Sequence, residues 1–87
     1  MQYEVILTET AQTEIGEIRY AVIRENAGPD PDGVCRPYGL LVCSAAELSL
    51  LRQICADSGE AAAWCRLLAG HAVRPCHAAD ILSDSIS

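Results

Sequence analysis

Eighty-seven residues with six arginines, no lysine and twelve acids carry a formal net charge of −6. That balance repels phosphate backbones, and the missing lysine removes Walker-type phosphate loops, Schiff-base chemistry and lysine-driven nucleic-acid contacts together. The length suits one domain spanning 1–87. With no phenylalanine, one tryptophan and three tyrosines, its core has to be built from Leu, Ile, Val, Ala and Cys, and small cores of this kind gain by burying a further face against a second copy.

The start, Met1-Gln2-Tyr3-Glu4, lacks the basic residues and apolar run of a secretion signal. The longest uncharged stretch, 37–46, is much shorter than the roughly 20 apolar residues of a membrane span. A soluble cytoplasmic protein without membrane contact is the expectation. Residues 3–7 and 17–23 alternate in the period of strands, and the polar stretch 8–16 reads as the hairpin or loop between them. Residues 26–33, dense in Gly, Pro and Asp, read as a long exposed loop. Asp30 and Asp32 in it fall short of a calcium loop, which needs a third spaced ligand and a closing Glu. A third strand is expected over 36–43.

Residues 47–55 are ambiguous. Leu48, Leu51 and Cys55 fit a helical face, whereas Leu48, Leu50 and Ile54 fit alternate strand positions. Ser44-x-x-Glu47 has the form of a capping box, and Leu, Arg, Gln and Ala are good helix formers, so local signals favour helix. Asp57-Ser-Gly-Glu60 repeats the capping signature before Ala61, Trp64, Cys65 and Leu68 at helical spacing, with Gly70 placed to end the helix. Trp64 should then lie buried between this helix and the sheet. Pro75 opens a last helix whose apolar side is Ala78, Ile81, Leu82 and Ile86.

That last segment holds the only tight group of ionisable residues. His77, Asp80 and Asp84 stand at i, i+3 and i+7, on one helical face, where an imidazole and two carboxylates could hold a divalent metal or orient a general base. The same face has an ordinary explanation, since acids near a helix start favour its dipole and the apolar stripe lies opposite. Cys65, His71, Cys76 and His77 are zinc-type ligands, but their spacing matches no common knuckle, and adjacent Cys76 and His77 would point about 100° apart on a helix. Five cysteines without a Cys-x-x-Cys indicate neither a disulfide framework nor a zinc ribbon. Cys76, near a helix N-terminus where thiolates are stabilised, is the one candidate for a reactive thiol.

Residues 50–86, with Pro75, His77, Asp80 and Asp84 forming a Pro-x-His-x-x-Asp-x-x-x-Asp pattern, resemble a family of short bacterial proteins classed as a domain of unknown function. Tyr38-Gly39-Leu40 is similar to that family's central Tyr-Gly-Ile strand, while Ser85 stands where the family has a bulky aromatic. The resemblance implies a small sheet followed by two helices, with 47–55 as a strand, and carries no catalytic role.

The resulting expectation is an α+β fold: an antiparallel sheet of about four strands followed by two C-terminal helices packed on one face. If Val5, Leu7, Ile18, Tyr20, Val22, Leu40 and Val42 turn toward the helices, then Ile6, Ala21, Ile23, Leu41 and Cys43 project from the other side. That side is apolar where a solvated sheet face is usually polar. The functional expectation is a non-enzymatic interaction module, without cofactor, acting by self-association or on a protein partner. The alternative is a small metal-binding protein or enzyme using His77, Asp80 and Asp84.

Overall fold

A computed structural model of the chain describes residues 3–14, 16–26, 28, 31 and 33–86, and in the last helix the side chains of 75–78, 80 and 81. Strands β1 (Tyr3–Thr13), β2 (Gly16–Glu25), β3 (Tyr38–Cys43) and β4 (Leu48–Cys55) form one antiparallel sheet in chain order. Helices α1 (Ser58–Gly70) and α2 (Pro75–Ile86) follow. Both helices pack on the same side, α1 chiefly across β1 and β2 and α2 across β3 and β4.

The core is the row structure of the sheet closed by small helix residues. Leu7, Val22, Leu40 and Leu51 stand side by side across all four strands, and Tyr20 and Val42 form the adjacent row. Ala61, Cys65 and Leu68 of α1 and Ala78 of α2 cover them, all fully buried. Because Ala61 and Cys65 are small, α1 has no room beneath it for an indole. Trp64, one position further round the helix, packs against the core but is only half-buried, where full burial between helix and sheet was expected.

Several boundaries differ from those read in the sequence. The stretch 8–16 is mostly strand: β1 runs to Thr13, and Thr13 already pairs with Gly16. Its polar residues are tolerated because an edge strand has solvent beside it. The third strand begins at Tyr38, after Pro37, whose carbonyl accepts from Glu25 N at 2.9 Å. Residues 48–55 are strand, against the local helix signal.

The Ser44-x-x-Glu47 signature is nonetheless physically real. Ser44 Oγ accepts from Glu47 N at 3.2 Å and Ser44 N donates to Glu47 O at 2.8 Å, so the motif closes the β3–β4 turn instead of opening a helix. At the second signature the expectation holds: Asp57 accepts from Glu60 N at 3.3 Å and caps α1. The other end of α1 falls at Gly70, as expected, while the left-handed residue that closes the turn is Ala72, at φ 49°. Val73 N reaches Leu68 O at 3.0 Å and Ala72 N reaches Ala69 O at 3.1 Å, the paired bonds of a Schellman motif.

Two bulges decide which residues share a side. Ile6 has no partner in the β1–β2 register, which shifts between Val5 and Leu7. An extra residue reverses the alternation, so Leu7 lies on the helix side while Val5, opposite Ile23, lies on the other. Val5 is thus corrected from the inner to the outer side. At the far edge, the β3–β4 register shifts between Tyr38 and Leu40, with Gln53 at φ 54°. There the backbone of β4 crosses over Gly39: a Cβ at that position would collide with the Leu51 carbonyl oxygen and stand 3.2 Å from Arg52 Cα.

Candidate functional site

On α2, His77 and Asp80 are both exposed, as expected of the polar face, whereas the side chain of Asp84 lies outside the described residues. Ala78 is buried and Ile81 packs on the core, so the apolar side docks where it can be followed. Leu82 and Ile86 have side chains outside the described set, as Asp30 and Asp32 of the 26–33 loop do entirely. Among the described residues no three of His, Cys, Asp and Glu gather as a metal site would require.

At the start of α2 the chemistry runs against a reactive thiol. Glu47, at the end of the β3–β4 turn, accepts from Cys76 N at 3.2 Å and from Arg74 Nη2 at 2.7 Å. Its carboxyl is held below the usual range by the Cys76 side chain and by Arg74. In return the hydrogen bond to Glu47, with some desolvation and its negative charge, pushes the Cys76 thiol up. The carboxylate occupies the helix end that would otherwise have stabilised a thiolate. Cys76 is exposed but held as the thiol, which overturns the expectation of activation there.

Four of the six arginines are matched to acids in different parts of the fold. Arg19 meets Glu17 at 2.7 Å, Arg52 meets Glu25 at 2.8 Å, Arg74 meets Glu47 at 2.7 Å and Arg66 stands 3.9 Å from Glu9. The Arg52–Glu25 pair is bidentate, with Nε also donating at 3.0 Å, and the Glu25 side chain is only 5% exposed. Pairing of this kind leaves these four cations dispersed, not gathered as a phosphate-binding surface requires.

The middle of the sheet side away from the helices is built by three cross-strand rows, with Tyr3–Glu25 and Gln12–Glu17 at its two ends. Val5, Ile23 and Gly39 form the first; Thr8, Ala21, Leu41 and Leu50 the second; Thr10, Arg19, Cys43 and Leu48 the third. Val5 is 53% exposed and Leu48 70%, with Leu41, Leu50 and Cys43 partly exposed between them.

Of the residues expected on this side, Leu41 and Cys43 are half-buried and available, and Ile6 is the exposed bulge residue. Ala21 and Ile23 sit there but are buried, at 8% and 1% exposure. A charge at Ile23 would therefore disturb the fold itself. Val5, Leu48 and Leu50 were not legible as members, because the side of Val5 depends on the bulge at Ile6 and that of Leu48 and Leu50 on 48–55 being a strand.

Open depressions flank the sheet among the described residues. One, about 570 Å³, lies between the start of β1, the end of β2 and the approach to β3, beside Tyr3, Arg24 and Tyr38. Another, about 400 Å³, is bounded by Glu17, Arg19, Cys43, Ser44 and Ala45 on the side away from the helices. A smaller one, about 250 Å³, lies between Ile18, the β3–β4 turn and Arg74. Among the described residues no helix is long and apolar enough to cross a membrane. The chain matches no protein-family profile, no curated protein and no solved structure.

Proposed function

We propose that the chain is a non-enzymatic interaction module of the cytoplasm that works through the outer side of its sheet. The supporting observation is the exposure of Val5 and Leu48 around Leu41, Leu50 and Cys43 on a sheet side that neither helix covers. Antiparallel sheets tolerate a solvated face when it is polar; an apolar one is the usual mark of a contact surface. The resemblance of 50–86 to short bacterial proteins without an assigned activity agrees with this proposal and adds no site to it.

The test is capture of partners from the organism's own cells with the native chain and with Val5→Glu. Val5 is exposed at an edge strand, so the variant should fold. A protein held stoichiometrically by the native chain and released by the variant supports the reading; identical capture by both counts against it. Stoichiometric metal in untagged protein, lost on replacing His77 and Asp80, would favour the metal-binding alternative instead.

A further inference from the structure

We infer that the occupant of the outer side is a second copy of this chain, packed face to face about a two-fold axis near the Cys43–Leu48 row. The inference rests on the reading of that side as a contact surface.

Charge selects the partner. The ionic strand residues on this side are Glu17, Arg19, Glu25 and Arg52, joined as two ion pairs, one toward each end of β2. Two acids and two bases sum to zero, in a chain whose total is −6. The strands thus add no net charge to this side, whereas the described acids Glu4, Glu9, Glu14, Glu47, Asp57, Glu60 and Asp80 lie on the other strand face, the turns and the helices. Two copies meeting there would bring like charges together, whereas this side brings them together without that penalty. A basic partner would be drawn to the acidic remainder. What suits a neutral apolar side with balanced ends is a surface of the same character.

Shape points the same way. An isologous contact needs a protrusion and its recess on one surface, because each copy supplies both. Leu48 projects at 70% exposure. Beside it, across its pair partner Cys43, lies the depression of about 400 Å³ bounded by Glu17, Arg19 and Ala45. A two-fold axis through this row sets each Leu48 toward the other copy's recess.

The sheet edges argue against the competing arrangement. Joining two copies into one longer sheet requires a regular free edge. β1 is interrupted at Ile6 and β4 at Gln53, which shortens the regular edge of β1 to residues 7–13, and bulges of this kind bend an edge away from a pairing strand. Stacking of faces, about 10 Å apart, is the remaining mode of β association.

Sedimentation equilibrium of the full chain from low to high micromolar concentration should show a dimer. Leu48→Glu should weaken it by roughly tenfold or more, because each new carboxylate would replace an apolar side chain seated in the other copy's recess beside Glu17. Since Leu48 is exposed in the single chain, the variant should keep the native circular dichroism spectrum. As a second measurement, in a Cys35→Ser, Cys76→Ser background only Cys43 remains accessible, because Cys55 and Cys65 are buried. A short bismaleimide should then link two chains, and adding Cys43→Ser should abolish the link.

A wild-type chain that stays monomeric at high micromolar concentration overturns the second copy as occupant. So does a dimer indifferent to Leu48→Glu and not linked through Cys43. If that monomeric chain captures another protein and Val5→Glu releases it, the contact-surface reading survives alone. If neither variant changes what is captured, both are wrong.

Discussion

Tyr20 joins the sheet to the helix pair through one atom. Its ring is fully buried, and its hydroxyl donates to the Val73 carbonyl at 2.7 Å, in the connection between α1 and α2. Burial, with the charge of Cys65, pushes this phenol up from its usual range, which favours the protonated form that donates. Tyr20→Phe keeps the packing and removes the bond. Urea unfolding should show a loss of about 1 kcal/mol, and a larger loss would mean that the connection itself has come loose.

The thiols make a second test at the same scale. Burial, with the charges of Glu60 and Asp57, pushes Cys55 up to about 11; burial, with the charge of Glu9, pushes Cys65 up to about 11. Neither should react with a disulfide reagent at pH 8 until the chain unfolds. Cys76 is exposed but should be slow, and Glu47→Gln should accelerate it by removing the carboxylate that raises it. Equal Cys76 rates in the two proteins would show that the carboxylate is irrelevant to the thiol.

Among the elements, α1 shows how a left-handed position can be occupied by the wrong residue. Ala72 supplies the terminating φ of 49° that glycine adopts without strain. Ala72→Gly should therefore stabilise the protein by about 1 kcal/mol, a rise of roughly 4–8 °C in Tm for a domain of this size. A fall would mean that the methyl packs usefully in the turn.

The two bulges act in the opposite sense, each adding irregularity to an edge strand. They shield the edges from pairing and turn Val5 outward, at the expense of unpaired positions at Ile6 and Gln53. The β3–β4 turn belongs to the same scale: Glu47 ends the turn by its backbone and reaches the start of α2 by its carboxylate. One residue thus couples β4 to the second helix.

For the whole molecule the paired carboxylates set the response to acid. Glu25 is held below its ordinary value of 4.5 by its hydrogen bonds to Arg52, and Glu17 likewise by Arg19. Glu47 is lowered by Cys76 and Arg74. A carboxyl whose folded value lies below its unfolded one stabilises the fold fully above the unfolded value. That contribution is lost as pH falls through the folded value.

Tm should therefore be level above about pH 5.5 and fall progressively below about pH 4.5. Arg52→Leu should make that acid slope shallower, because Glu25 loses the partner that lowers it. An unchanged slope would show that the pair does not distinguish the folded from the unfolded state. Added salt should flatten the contributions of the exposed pairs most.

Alternation over 17–23, the Asp57 cap and the 3–4 spacing of Ala61, Cys65 and Leu68 were sufficient to read strands, a helix and an α+β order, because these signals act within a few residues. Pro75 and Ala78 likewise marked the last helix and its docked side. What the tertiary structure alone decided depends on contacts between distant segments. The Ser44–Glu47 bonds serve a turn or a helix equally well, and 48–55 became a strand because β3 offers it a ladder and Leu51 completes the Leu7–Val22–Leu40 row. Trp64 is left only half-buried beside Ala61 and Cys65 because small residues let the helix approach the sheet. The outer side was legible as apolar, but its membership was not: one unpaired residue at Ile6 sends Val5 to the opposite face, and the alternating period of a strand cannot reveal where it is broken.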